Sequence, residues 1–242
     1  GLELLEQLPD MDAVIVPVGG GGLISGVAFA IKSLNPNCKV YGVQAAGAPS
    51  MYNSIRHHQK EILDRVSTIA VGIAVKNPGE LTYALCEKYV DDIVTVTDDE
   101  ISTAILALIE QQKLIAEGAG AVSVAAAMFN KVDIAGKKAA CLLSGGNIDV
   151  TILSRVITRG LLKAGRSADL TIALQDKPGQ LKDVSRIIAD LGGNVTSIHH
   201  DRANEGMDIN GCFLHIVMET RDWKHVEDIR KALSDAGFKI VS

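Results

Sequence analysis

The spacing of apolar residues along the chain changes several times, and each change marks an element. Leu2, Leu4, Leu5 and Leu8 form a short helix face that stops at Pro9, and Ala13 to Val18 is an apolar run of strand length. Leu23, Ile24, Val27, Ala28, Ile31 and Leu34 then follow at helical spacing, and Lys39 to Val43 reads as a second strand. Strand, helix and strand make a βαβ unit of a parallel sheet. Further on, the pattern predicts a helix over Pro49 to Leu63, a winding loop over Val66 to Pro78, a helix over Glu80 to Tyr89 and a strand over Ile93 to Val96. Thr97-Asp98-Asp99-Glu100 has the spacing of a capping box, opening a helix whose apolar face is Ile101, Ile105, Leu108, Ile109 and Leu114. Glu117 to Ala121 reads as a small-residue turn, Val122 to Asn130 as a helix, and Lys137 to Ser144 as a buried strand ending in Ser144-Gly145-Gly146-Asn147.

Around Lys163 to Arg166 the texture changes. Strands over Asp169 to Leu174, Asn194 to Asp201, Cys212 to Thr220 and Phe238 to Val241 alternate with helices over Leu181 to Leu191 and Trp223 to Ala236. The order βαββαβ is the ferredoxin-like pattern. Gly192-Gly193 and Gly237 stand where helices end in the left-handed conformation. The expected fold class is therefore α/β, with a parallel-sheet domain with flanking helices over 1–163 and a ferredoxin-like domain over 167–242.

Candidate chemistry concentrates between the first strand and its helix, where Gly19, Gly20, Gly21 and Gly22 stand in a row. Glycines let backbone amides approach a ligand with no Cβ in the way, and a helix start adds free N–H groups with a partial positive charge. A phosphate suits such a loop; a tight turn with no ligand is the alternative. No Lys follows as in the P-loop, and Ile24 and Ser25 fall where the dinucleotide fingerprint needs its last glycine. Ser144 to Gly146 ends another strand, so two strand ends could face one crevice.

Composition narrows the class. With 242 residues, 47% hydrophobic, and a formal net charge of -5, the chain is globular and lacks the clustered basic residues of a nucleic-acid surface. No apolar run approaches the roughly 18 residues of a spanning helix, so no membrane partner and a cytoplasmic location are expected. Cys38, Cys86, Cys141 and Cys212 are scattered and read as buried thiols, with no metal site expected.

Together, VPVGGGGLISG, EGAGA at Glu117 to Ala121, LSGGNID at Leu143 to Asp149 and DKPGQL at Asp176 to Leu181 resemble the threonine ammonia-lyase (threonine dehydratase) family with a single C-terminal ACT domain. The resemblance covers the whole chain. It implies part of a fold-type-II, tryptophan synthase β-like pyridoxal 5'-phosphate enzyme domain followed by a regulatory ACT domain. Gly19, Gly20, Gly21, Gly22 and Leu23 would hold the cofactor phosphate, Glu117 would lie near its ring, and Ser144 would face its pyridine nitrogen. From the residues alone, Ser144 could instead cap the following helix, and Glu117 could stabilise a helix N-terminus. Thr68 to Ala74 resembles the loop lining the ring pocket, although Val71 stands where relatives often carry Asp. Gln44 and Ser50 replace carboxylates that hold a divalent metal in serine racemase relatives.

The resemblance further implies threonine or serine as substrate. It places an amino-acid effector such as isoleucine or valine at Lys177, Pro178, Gly179, Gln180, Leu181, Gly193 and Asn194, between paired ACT domains of a homo-oligomer that also has catalytic-domain contacts. The family's Schiff-base lysine and its motif do not occur in this sequence, so the chain resembles the C-terminal part of a longer protein and is expected to be inactive alone. Competing readings are an amino-acid-sensing module without catalysis and an enzyme of another phosphate-bearing cofactor.

Overall fold

The computed structural model describes residues 1–202 and 210–241, which fall into two compact units, Gly1–Ile157 and Thr158–Ser242. In the first, α1 (Leu2–Gln7) leads to β1 (Ala13–Pro17), α2 (Gly22–Leu34) and β2 (Lys39–Ala45). Next come α3 (Ser50–His57), a 3-10 turn at Val71–Ile73, α4 (Glu80–Tyr89), β3 (Asp92–Val96) and α5 (Asp98–Ala107). A π-helical turn at Leu108–Gln112, α6 (Gly118–Met128) and β4 (Ala139–Cys141) follow, and α7 (Val150–Lys163) runs into the second unit.

The first unit's sheet has the order β3-β2-β1-β4, and every pair is parallel. All of β1 is buried, as a strand covered by helices on both faces must be. Its side chains alternate accordingly. Ile15 joins Ile101, Ile105, Val122 and Ala125 in one cluster, whereas Val14 and Val16 join Ile24, Val27 and Ile31 of α2 in another. The capping box is present in full at Thr97 and Glu100.

Four sequence readings need correction. The helix expected over 49–63 stops at His57, because His58 turns left-handed (φ 51°) and donates its N–H to the Ile55 and Ser54 carbonyls. The expected turn at 117–121 is the first turn of α6, which starts at Gly118. Its glycines serve close approach rather than a bend: a Cβ on Gly120 would stand 2.5 Å from the Gly145 carbonyl oxygen. The strand expected over 137–144 shortens to β4 and is half-buried, since β1 is its single neighbour in the sheet. Cys141 on that strand is accordingly half-buried too, while the other three cysteines are buried. α7 was not anticipated from the spacing.

In the second unit, β5 (Ser167–Gln175), α8 (Gln180–Asp190), β6 (Asn194–Asp201), β7 (Gly211–Glu219), α9 (Trp223–Asp235) and β8 (Lys239–Ile240) follow the expected βαββαβ order. The sheet is antiparallel with the order β6-β7-β5-β8, and Leu170, Ile172, Leu214 and Ile216 pack on Val184, Ile188, Ile229 and Leu233 of the helices. Gly192 and Gly237 end the two helices at φ 89° and 87°. Among the described residues, no helix is long and apolar enough to cross a membrane.

Candidate functional site

The tetraglycine loop leaves β1 at its carboxyl end and enters α2 with Gly21 as the N-cap, left-handed at φ 92°. A side chain at Gly21 would meet the Met51 methyl at 2.6 Å and Thr82 at 2.9 Å. Here only glycine combines the backbone torsion with the available space. Gly22 differs. A Cβ there would meet nothing within 4 Å, and one on Gly20 would touch only Val75 at 3.9 Å, so the loop leaves open room beside its backbone. Its carbonyls are held from behind: Thr82 Oγ1 donates to Gly20 at 2.5 Å, and buried Gln44 donates through Nε2 to Gly19 at 3.5 Å. The amides of the first turn of α2 have no intrahelical acceptor and carry the positive end of the helix dipole.

Gly19, Gly20, Gly21, Gly22, Leu23, Glu117 and Ser144 all line one cavity of about 270 Å³, together with Pro17, Gly72, Ile73 and Ala119. The topology explains the convergence. β1 and β4 are adjacent and parallel, so the loops after both strands emerge on the same edge of the sheet. α6 is tied to the second of these loops by Glu117 N–H donating to the Gly145 carbonyl at 3.2 Å and Ser123 Oγ donating to Leu142 at 2.9 Å.

The geometry excludes a side-chain helix cap at both Ser144 and Glu117. Ser144 does not cap the following helix; Asp149 does, its carboxylate accepting from the Thr151 amide at 2.7 Å and the Ile152 amide at 3.3 Å. Glu117 is the N-cap residue of α6, yet its side chain makes no capping bond. Instead, its carboxylate lies beside Gly72, where a Cβ would stand 3.3 Å from Glu117 Oε1. Gln44 and Ser50 serve the backbone: Gln44 Oε1 accepts from Tyr52 N–H at 2.8 Å, and Ser50 Oγ donates to Val75 at 2.7 Å. The roles of Thr82 and Gln44 were not legible in the sequence, because both act on the loop from elements far along the chain.

A cavity of similar size, about 270 Å³, lies in the second unit against the loop between β5 and α8. Lys177, Pro178, Gly179, Gln180 and Leu181 line it, along with Asp176, His200 and Arg202, which spacing did not single out. Gly193 and Asn194 do not. Asn194 pairs with Glu219, as Ser167 does, at the opposite end of the sheet from Gln175. Strand length puts the two groups about 25 Å apart within one chain. The Asn194 amide donates to Glu219 at 2.9 Å.

Comparison with known proteins is consistent with this arrangement. A family model described as pyridoxal-phosphate dependent enzyme matches residues 1–145, and a model of the ACT domain matches residues 168–240. An L-threonine ammonia-lyase of Thermotoga maritima is 50% identical over 240 residues, which is 99% of this chain and 60% of that protein. Its counterpart from Geobacter sulfurreducens is 41% identical over the same shares. Among solved structures, the processed form of threonine deaminase isoform 2 from Solanum lycopersicum matches with a TM-score of 0.62 at 39% identity, over 66% of this chain and 45% of that one. Maize serine racemase matches with a TM-score of 0.60 at 36% identity, over 65% and 50%. The chain spans about 60% of the length of the two ammonia-lyases.

Proposed function

The chain belongs to the pyridoxal-phosphate dependent enzymes and carries an ACT domain, and from that premise we propose that it is the cofactor-phosphate and regulatory portion of a threonine ammonia-lyase, converting L-threonine to 2-oxobutanoate and ammonia by β-elimination. The observation that carries the reading is the meeting of the tetraglycine loop, Glu117 and Ser144 in one cavity at the ends of adjacent parallel strands. The residues fit pyridoxal phosphate. The space a Cβ would take at Gly22 is empty, and the amides of the first turn of α2 point positive charge at it. When bound, the cofactor supplies an electron sink for the carbanion formed at the substrate α-carbon.

The chain's own residues do the rest by position. Gly19 to Gly22 and Leu23 would bind the phosphate through backbone amides. Ser144 would offer a bound cofactor's ring nitrogen a neutral hydroxyl, which would not hold that nitrogen protonated as a carboxylate would. Glu117 would flank the ring from the N-terminus of α6. Its relatives include both threonine ammonia-lyases and a serine racemase, so serine is the second substrate to try.

Regulation belongs to the second unit. Lys177 to Leu181 offer an amino acid such as isoleucine or valine a small cavity, and pairing of two ACT domains would bring Gly193 and Asn194 of one chain to that loop of another. A homo-oligomer is therefore part of the proposal, as is a reducing cytoplasm for the four free thiols.

The test replaces the matching segment of the Thermotoga maritima enzyme with this chain and measures 2-oxobutanoate release. Turnover of threonine that responds to an amino-acid panel is expected. A folded chimera that binds pyridoxal phosphate and releases no oxoacid from threonine or serine would sink the proposal. The 242-residue chain by itself is expected to show no turnover.

A further inference from the structure

Three side chains at one end of the second unit's sheet gather donor atoms that the cofactor site does not use. Asp176 follows β5, His200 is near the end of β6, and Cys212 is near the start of β7. Antiparallel pairing brings them together, since Leu174 lies opposite Cys212 and His200 opposite Leu214. His200 Nε2 stands 2.9 Å from Cys212 Sγ, and with one Asp176 oxygen the three ligand atoms all lie within 4.8 Å of one another.

We propose that Asp176, His200 and Cys212 form a binding site for a thiophilic divalent cation such as Zn²⁺, with its remaining coordination position open to the cavity beside the 176–181 loop. One sulfur, one imidazole nitrogen and one carboxylate oxygen make a donor set suited to borderline-soft cations, and three protein ligands leave a position for water or a ligand. Tetrahedral Zn²⁺ at ordinary bond lengths separates its ligand atoms by about 3.3 to 3.6 Å. The imidazole must therefore open from the sulfur by roughly half an ångström. His200 and Asp176 are exposed, while Cys212 is buried and acts as the anchor.

One other group bears on the site. Arg202 grips Asp176 through Nη2 at 3.1 Å and Nε at 3.0 Å. Each carboxylate oxygen has two lone pairs, so the guanidinium leaves one on each for a cation. A cation binds the sulfur as thiolate, so the thiol proton leaves to solvent as the sulfur–metal bond forms. Asp176 and His200 both line the cavity, so an amino acid there could complete the coordination through its amine and carboxylate. The site stands independently of the ammonia-lyase reading, which rests on the first unit.

The test titrates the reduced, chelator-treated chain with Co²⁺. The expected result is a one-to-one complex with thiolate-to-cobalt charge transfer in the near ultraviolet, displaced by Zn²⁺, with release of one proton per ion. His200→Ala and Asp176→Asn, at exposed positions, should each weaken binding by more than about tenfold, and Cys212→Ser should remove the charge-transfer band. Circular dichroism of each variant checks that the fold is kept. No charge-transfer band in the unsubstituted chain overturns the proposal. A band that survives Cys212→Ser, or affinity unchanged by His200→Ala, overturns it equally.

Discussion

Two adjacent glycines of the loop should respond in opposite ways to the same substitution. At Gly21, alanine must adopt φ near 92°, which costs about 1 to 2 kcal/mol for an L-residue. Its methyl would also stand 2.6 Å from Met51 Cε and 2.9 Å from Thr82 Cβ. Met51 is fully buried, so it cannot swing away, and crowding of this kind costs about 1 to 3 kcal/mol. Gly21→Ala should therefore destabilise the first unit by about 2 to 5 kcal/mol. Gly22 opens α2, has no positive φ, and would place its Cβ within 4 Å of nothing. Gly22→Ala should stabilise the unit by about 0.4 to 1 kcal/mol, because alanine has fewer unfolded conformations to lose. The assay is urea unfolding followed by tyrosine emission: Tyr41, Tyr52, Tyr83 and Tyr89 all lie in the first unit, and Trp223 reports the second. With m near 2 kcal/mol/M, the midpoint should fall by about 1 to 2.5 M for Gly21→Ala and rise slightly for Gly22→Ala. Equal destabilisation by both substitutions would refute the reasoning, as would a Gly21→Ala midpoint equal to that of the unsubstituted chain.

The same Gly22→Ala change in the chimera should weaken pyridoxal phosphate binding by at least about tenfold, because the methyl fills the space beside the first-turn amides; one lost hydrogen bond to a charged group is enough. Unchanged affinity in a calorimetric titration would remove Gly22 from the phosphate site. Asp91 loses some ease of ionisation through burial, but Lys32 at 2.6 Å, the Val40 amide at 2.8 Å and Lys39 at 2.9 Å outweigh this and hold its pKa below 3.8. Its stabilisation is therefore present in full above pH 3.8 and is lost as pH falls through the lower folded value. Asp91→Asn should cost about 1.5 to 3 kcal/mol at neutral pH, with the gap narrowing in acid; a gap independent of pH would be the contrary result. Burial pushes the Cys86 thiol up to about 12, so iodoacetamide at about pH 8 should label it only after unfolding. Mass spectrometry showing rapid labelling of Cys86 in the native chain would contradict its placement.

Most elements were legible wherever one physical pattern dominated. The apolar run before Gly19, the helical spacing after it and the Thr97–Glu100 box are local, and each appears in the structure as read. The readings that failed lay where composition points both ways. Gly118 to Ala121 suggests a turn by its glycines, but the segment is helical, since a Cβ on Gly118 would meet the Ile69 carbonyl at 2.7 Å and only glycine permits that packing. The helix expected to reach residue 63 ends at His57, where polar residues replace the apolar spacing.

The chain's order of residues determined by itself that a glycine loop joins strand to helix, that a βαββαβ unit follows, and that Ser144 and Glu117 accompany glycines elsewhere. Those are properties of neighbours in sequence. Only the tertiary structure decided that the loop, Glu117 and Ser144 share one cavity, since it depends on β4 pairing beside β1 across more than a hundred intervening residues. Only the tertiary structure separated Lys177 to Leu181 from Asn194 by the length of a sheet and set Asp176, His200 and Cys212 side by side. Strand order and register decide which distant side chains meet, and they follow from burying both faces of one sheet and one face of the other, which no local pattern encodes.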